Sequence, residues 1–369
     1  MEEKLGIPML GHAERFSDLF QYLMQLSKSK PITLVLDEFQ DFARVNSAIF
    51  SQMQRIWDLN KAEAQMNLVV CGSVYSMMTR LFRDHKESLY GRQTAFFKIE
   101  PFMPSTLKQI LSEYHPDYTA EDLLALYTFT GGVAKYVELL MDEGTTTADK
   151  MLHRMVAKDS YFVFEGKNML IDEFGRDYGR YFDIMKLISQ GHNTRSDIEA
   201  MLQTELSGYM TRLESDYGLI VKNRPMFQQS TGKNVRYAIC DNFLRFWFRF
   251  VYKYSSIIEA NAYDRLEGIL RRDYSTYSGR VLELYFRDTL LESQRYTHIG
   301  SWWDRKGENE IDLIAADDTT RHVTFYEVKR NKDEYSETVL RDKVQYFLQS
   351  TGKYDRYHLE YVGLSMDDM

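Results

Sequence analysis

Two cysteines in 369 residues are too few for a disulfide framework, and no Cys/His cluster has the spacing of a zinc site. Positive charge is short as well. The net charge is −8 and the pI about 5.6, so no global field draws the chain to nucleic acid and any such contact needs a local basic face. The opening MEEKLGIPML lacks the basic n-region and apolar core of a secretion signal. Apolar runs fall far short of a bilayer, and the aromatic run from Phe243 to Tyr254 is broken by Arg245, Arg249 and Lys253, which excludes a membrane-spanning reading of it. A reducing cytoplasm and no membrane partner are the expectation. Also missing is G-x-x-x-x-G-K-[ST]. The Gly-Lys pairs at Gly166, Gly232 and Gly352 are followed by Asn, Asn and Tyr, and none has a glycine five positions earlier. This chain therefore has no such phosphate cradle of its own.

What is present is an ordinary globular composition, 44% hydrophobic and 27% charged, with aromatics high at 14%, long enough for two or three domains. PITLVLDEFQDF stands out: Ile32 to Leu36 reads as a strand buried on both faces, and Asp37 and Glu38 follow where its carboxyl end meets solvent. Such acids at that place suit a Mg-nucleotide site, one holding Mg²⁺ and the other polarising water. A plain buried strand with an acidic turn fits the same string. Asn67 to Ser73 reads as a second buried strand, carrying Cys71, with a helix from about Ser47 to Asn60 between the two. Ser73 then ends the second strand as a polar sensor would.

LVLDEFQDF, LVVCGSVYSMM, LYGRQTAFFKIEPF and TGGVAKYVELL resemble, in this order, the prokaryotic AAA-related ATPases with a restriction-endonuclease-like C-terminal domain. The resemblance spans nearly the whole chain. It implies that Arg92 approaches phosphate and that Lys135, after Gly-Gly-Val, lies near a second sensor. With the P-loop strand missing, it also implies an N-terminally incomplete version of a longer protein, or a degenerate paralogue whose ATPase half is a scaffold. ATP enters as a cofactor only if an upstream segment supplies the P-loop.

Phe16, Leu19, Phe20, Leu23 and Met24 have helical spacing. Ala95 to Ile99 reads as a strand closed by Pro101 and Pro104. Ser105 is placed to cap a helix, Thr119 with Asp122 opens another, and Gly131-Gly132 separates it from a helix over Ala134 to Met141. These make a helical lid, or a plain helical bundle. From about Tyr181, three helices and two short strands fit a winged helix, whose cations Arg212, Lys222, Arg224, Lys233 and Arg236 would meet DNA phosphates. Glu205, Glu214 and Asp216 on the same helix suit a packing module equally. Phe243, Phe246, Trp247 and Phe250 fall at helical spacing, and core packing is the preferred reading over base stacking.

The C-terminal part carries the sharpest chemistry. Glu283 on a helix, Asp312 on one strand, and Glu327 and Lys329 on the next resemble the PD-(D/E)XK nuclease core, in which the carboxylates hold Mg²⁺ or Mn²⁺ and the lysine stabilises charge or orients water. A turn at Asp317 to Thr320 would set Asp312 opposite Phe325 and bring Asp312, Glu327 and Lys329 to one face. Alternatively, Glu283 pairs with Arg280 and Arg287 on an exposed helix, and Glu327 pairs with Lys329 as a surface ion pair.

The fold expected is α/β: an incomplete P-loop ATPase sheet over residues 1–104, a helical lid over 105–175, a winged helix over 176–245, and a C-terminal α/β restriction-endonuclease-like domain over 246–369. The function expected is Mg²⁺-dependent phosphodiester cleavage or DNA processing in a nucleotide-regulated system, with DNA as partner and a homo-oligomer possible. Two rivals stand beside it: a non-catalytic DNA-binding or assembly protein, and an ATP-dependent switch completed by an upstream segment.

Overall fold

A computed structural model describes residues 15–174, 178–227 and 234–369. The chain is mixed α/β and divides into two units, Met1–Lys98 and Ile99–Met369.

In the first unit, α1 (Phe16–Leu26) buries Phe20, Leu23 and Met24, the stripe its spacing predicts. β1 (Ile32–Leu36) and β2 (Met66–Val70) pair in parallel, Leu34 against Leu68, joined through α2 (Ala48–Asn60) and followed by α3 (Tyr75–Arg83). Leu34, Leu36, Leu68 and Val70 pack on a core of Phe39, Phe50, Met53 and Leu81. The expectation of burial on both faces fails. Val35 is 57% exposed and Val69 also faces out, because the described helices cover one face only and the pleat turns alternate residues away from them. Cys71 is not inside the strand; it lies just past β2 with its thiol exposed. Residues 95–99 form no strand either, and Phe97 is 84% exposed.

The second unit begins with α4 (Pro104–Tyr114), α5 (Ala120–Thr130), α6 (Ala134–Asp142), α7 (Ala148–Val156) and α8 (Tyr161–Phe174). Thr119 caps α5 in a reciprocal capping box with Asp122, and Gly131 ends it at φ 56°, as the sequence signals required. Gly132 is obligatory for a second reason. Its carbonyl accepts the Phe102 N–H at 2.7 Å, and a β-carbon there would lie 2.1 Å from the Phe102 oxygen. Ser105 is not a cap. α4 starts at Pro104 after Met103, because proline suits the first helical position, and Ser105 instead donates from N–H and hydroxyl to Glu292.

Next come α9 (Tyr178–Ser189), α10 (Arg195–Leu202), α11 (Ser207–Thr211), and the antiparallel pair β3 (Ile220–Asn223) and β4 (Arg236–Ile239). The aromatic stretch that follows is interior: Phe243, Phe246, Phe248 and Phe250 are fully buried, and the Trp247 indole N–H donates to the Val163 carbonyl at 2.9 Å. The high aromatic content thus goes into packing.

α12 (Tyr263–Glu292) leads to a four-stranded sheet ordered β5 (His298–Trp303), β6 (Glu310–Asp317), β7 (His322–Val328), β8 (His358–Leu364). β5–β6–β7 is antiparallel. α13 (Glu337–Thr351) makes the crossover to β8, which runs parallel to β7. Leu313, Ala315, Tyr326 and Val328 join the large helical core, while Ile314, Val323 and Phe325 pack with Leu340, Val344 and Phe347 of α13. The hairpin turn falls one residue later than expected. Asp317 pairs with His322 and Ile314, not Asp312, sits opposite Phe325, with Arg321 in the left-handed region at φ 54°. Among the described residues no helix is long and apolar enough to cross a membrane.

Candidate functional site

The four C-terminal residues do come together, by a route the sequence did not show. Between the pairs Gly300–Ile314 and Trp302–Ile311 the β5–β6 register shifts, leaving Asp312 and Leu313 both opposite Ser301. This bulge takes Asp312 out of the regular β6–β7 ladder, which begins at Leu313–Tyr326. Asp312 then accepts the Val328 N–H at Oδ2, 2.8 Å away. Bulges re-aim side chains in this way. One residue beyond that amide, Lys329 has its own N–H bonded to the Leu364 carbonyl of β8 at 2.9 Å, and its Nζ lies 2.8 Å from Glu327 Oε1.

Glu327 is only 7% exposed and carries a second lysine that sequence reasoning missed. Lys343 on α13 donates to Oε1 at 2.9 Å and Oε2 at 2.8 Å. Its signal was its place beside Val344 on the flank of the buried Leu340–Val344–Phe347 stripe, but the contact needs the crossover geometry to be seen. Although burial disfavours its charge, Lys329 and Lys343 hold the Glu327 carboxyl below its usual range.

Glu283 faces this group from α12. Among the described residues it makes no hydrogen bond or ion pair, so the expected alternative of pairs with Arg280 and Arg287 is not formed. Burial first, then the charges of Asp312 and Glu310, push its carboxyl up to about 8. Burial, with Glu327 adding to it, raises Asp312 to about 6 against the pull of the Val328 amide. Glu283 and Lys329 line one cleft, Lys329 is bonded to Glu327, and Asp312 is bonded to the amide of Val328 between them; these contacts gather the four. Perturbed groups gathered in a cleft are a functional signature. A cleft of about 310 Å³ opens beside them, lined by Thr276, Gly279, Arg280, Glu283, Lys329 and Arg330. Arg330 bonds Ser278 and Glu121, tying the end of β7 to α12 and α5.

The fit to a divalent metal is poor as the side chains stand. Among the described residues no three acids or histidines are disposed to hold an ion, and the reason is visible: both Glu327 oxygens are taken by ammonium groups. The expected three-carboxylate cradle of Glu283, Asp312 and Glu327 is not formed in this arrangement.

In the first unit, Asp37 and Glu38 do sit at the carboxyl end of β1 and Ser73 beyond β2. Glu38 adopts φ 46°, and its Oε2 accepts the Ser73 hydroxyl at 2.8 Å and the Gln40 amide. Those bonds, Gln40's first, lower its carboxyl. Asp37 Oδ1 accepts the Glu38 N–H at 3.0 Å and lies 3.3 Å from the Cys71 sulfur, a contact that pushes the thiol up. Arg92 is engaged elsewhere, with Nε and Nη2 on Asp58 at 3.3 and 3.0 Å and Nη1 on the Tyr90 carbonyl at 2.7 Å. Lys135, in the second unit, pairs with Glu138 at 3.1 Å on an exposed helix face.

The five cations expected to meet DNA divide. Lys222 is paired with Glu214, and Arg236 binds Glu310 at 2.8 Å while lying over the Trp303 ring at 4.4 Å. Arg224 is exposed, and Arg212 is exposed with a 3.4 Å contact to the Tyr181 hydroxyl. Lys233 lies outside the described residues.

Residues 247–340 match the family model DUF234, described as "Archaea bacterial proteins of unknown function". The chain is 30% identical over 354 residues to the uncharacterized protein MJECL04 of Methanocaldococcus jannaschii, covering 90% of this chain and 78% of that protein. It is 37% identical over 67 residues to the uncharacterized protein MJ0424 of the same organism, covering 18% of this chain and 65% of that one. Among solved structures it is similar to the Walker-type ATPase PABY2304 of Pyrococcus abyssi, with TM-score 0.48 and 17% identity over 67% of this chain and 74% of that chain. By the extent of its identity to MJECL04, the chain belongs to the family of that archaeal protein.

Proposed function

We propose that the second unit is a nuclease-like module, cleaving or processing phosphodiester bonds in DNA with Mg²⁺ or Mn²⁺, and that the first unit is an ATPase-like sheet. The observation that carries the reading is the meeting of Glu283, Asp312, Glu327 and Lys329, drawn from a helix and two strands, beside a cleft that also presents Arg280 and Arg330. Nothing in simple core packing calls for three acids there, since carboxylates brought together out of water repel one another. Residues 178–239, three helices and an antiparallel strand pair, serve as a winged helix in this reading.

A bound divalent ion would neutralise phosphate charge and supply an activated water. The chain's own groups would do the rest. Lys329, its backbone fixed by β8, is placed to stabilise negative charge developing on a phosphate. Glu283, whose carboxyl is pushed up by burial and by the charges of Asp312 and Glu310, is placed to hold or release a proton. In the first unit, Asp37, Glu38 and Ser73 at the ends of adjacent parallel strands support the nucleotide-site reading, and the phosphate cradle of a G-x-x-x-x-G-K-[ST] loop, a string this sequence does not contain, would be needed beside them for tight ATP binding.

A second reading draws on one observation: the lysine-filled Glu327 suits a vestigial site in a DNA-binding or assembly protein. The two part on a cleavage assay. With Mg²⁺ or Mn²⁺ and single- and double-stranded DNA, the wild-type chain is expected to cut and Glu327→Gln to be inactive while melting like the wild type. Cleavage that survives Glu327→Gln, or its absence from every substrate and metal, removes the nuclease reading.

A further inference from the structure

We propose that the cleft beside the cluster binds a phosphomonoester directly and without metal, with Arg280 as its anchor. The ligand is the terminal phosphate of a nucleic-acid strand or the same group on a free nucleotide. The inference goes beyond cleavage: it concerns what the cleft holds, whether or not the neighbouring acids and lysines cut anything.

The cleft is built from two elements. On α12, Thr276, Gly279, Arg280 and Glu283 recur at helical spacing and so share a face. Lys329 and Arg330, just past β7, supply the other wall. At about 310 Å³ the space is at the small end of ligand sites, with room for one nucleotide-sized group and not for a length of duplex. Gly279 keeps it open. A β-carbon there would meet only the Arg330 side chain, at 3.9 Å, so neither backbone nor core occupies the room that the missing side chain leaves.

The free polar groups in the cleft are donors. Arg280 is exposed and among the described residues makes no hydrogen bond or ion pair, so its planar fork is open to an incoming oxygen. Lys329 and Arg330 are held by Glu327 and Glu121 and add positive field. The Ser275 and Thr276 hydroxyls, one turn before Arg280, line the same space. A terminal phosphate presents three unesterified oxygens and a backbone diester two, so the terminal group can meet both edges of the arginine fork and still offer an oxygen to a hydroxyl. Two acids, Glu283 and Glu334, also line the cleft and oppose any anion, which leaves the unbonded Arg280 as the group that decides whether one is held.

The test is fluorescence anisotropy with the full chain in EDTA, using a labelled single-stranded oligonucleotide that carries a 5′ phosphate, a 3′ phosphate or hydroxyl ends only. At least one phosphate-ended strand is expected to bind about tenfold tighter than the hydroxyl-ended one, the worth of a charge-assisted contact. Arg280→Ala and Gly279→Leu should each abolish that preference while melting like the wild type; the first removes the fork, and the second fills the cleft with every charge in place. Gly279→Ala carries the same expectation in weaker form should the Leu variant fail to fold. Glu334→Gln should enlarge the preference, since loss of an acid favours an anion. Thymidine 5′-monophosphate should compete where thymidine does not: competition as strong as that of the phosphate-ended strand assigns the site to a free nucleotide, and weaker competition assigns it to a strand end. Equal binding of the three strands, with the nucleotide competing no better than thymidine, overturns the inference. So does a preference that survives Arg280→Ala, or one that survives Gly279→Leu, which would mean a charged surface and no built cleft. None of these measurements involves metal or cutting, so failure here leaves the cleavage reading standing, and failure of the cleavage assay leaves this inference standing.

Discussion

Lys343 and Glu327 are joined by two hydrogen bonds, one to each carboxylate oxygen, at 2.9 and 2.8 Å, across the space between a crossover helix and the strand beneath it. The pair sets the charge of the whole cluster. With Lys329 on the same carboxylate, it leaves both Glu283 and Asp312 with no lysine bonded to them among the described residues, Asp312 being held by the Val328 amide instead.

Glu283 should therefore make stability depend on pH. Its carboxyl is raised to about 8 in the fold by burial and by Asp312 and Glu310, against an ordinary value near 4.5. The folded state holds this proton longer than the unfolded one, so the stabilisation is complete below about pH 4.5 and is lost as pH rises through about 8. In urea unfolding without divalent ions, wild type should lose stability between pH 6 and 8.5 relative to Glu283→Gln. Discounting for the solvent that reaches the cleft, the difference should be about 1–3 kcal/mol. Equal pH slopes for the two proteins would show the carboxyl to be ordinary.

Asp312 separates charge from hydrogen bonding. Asp312→Asn keeps an acceptor for the Val328 N–H and relieves repulsion from Glu283 and Glu327, so it should be as stable as wild type or more so. Asp312→Ala leaves that amide without its partner and should cost about 1–3 kcal/mol. Both should be inactive in DNA cleavage. An Ala variant as stable as the Asn variant would mean that the amide bond to Asp312 contributes nothing.

Much of this was legible in the sequence. Thr119 with Asp122, Gly131 and the stripe beginning at Phe16 announced their helices, because capping chemistry and apolar period are local. ITLVL was misread, since of its two outward positions Thr33 is polar but Val35 is apolar, which hides the alternation. The hairpin was misplaced by a one-residue turn shift, which moves each pairing by two and so keeps Glu327 on its face. The bulge at Asp312 was invisible: Ile311-Asp312-Leu313 contains no glycine to mark it. Lys343 was invisible for another reason, as its contact depends on how α13 crosses the sheet.

Arg330 should couple the cleft to α5. It bonds Glu121 and Ser278 at once and lies over the Tyr274 ring at 6.0 Å, with the Arg330 and Glu121 side chains both partly exposed. A double-mutant cycle of Arg330→Ala and Glu121→Ala should give a coupling near 1 kcal/mol, above a surface pair and below a buried one. Strict additivity in thermal melts would mean that the helical layer and the sheet are held together elsewhere.

This 369-residue chain should bind MgATP weakly or not at all. Glu38 and Ser73 satisfy each other at 2.8 Å and Arg92 is committed to Asp58, so among the described residues the first unit offers acids but few groups to cradle phosphate. Micromolar affinity by calorimetry, lost in Asp37→Ala, would contradict this.

The last prediction concerns DNA and salt. Each lysine or arginine that neutralises a phosphate releases condensed counterions, so its loss should flatten the dependence of affinity on salt by about one unit of slope. Five cations suggested the surface in the sequence, but they are not equivalent in the fold. Lys222 and Arg236 are already matched by Glu214 and Glu310; meeting a phosphate would mean leaving those acids near DNA, which repels them. Arg212 and Arg224 are exposed, and neither forms an ion pair among the described residues. Arg224→Ala and Arg212→Ala should therefore weaken duplex binding and flatten the salt slope, whereas Lys222→Ala and Arg236→Ala should change the slope little. Measured by fluorescence anisotropy over a salt series, the opposite ranking would mean that DNA displaces the internal acids. No change for any of the four would reduce residues 178–239 to a packing module.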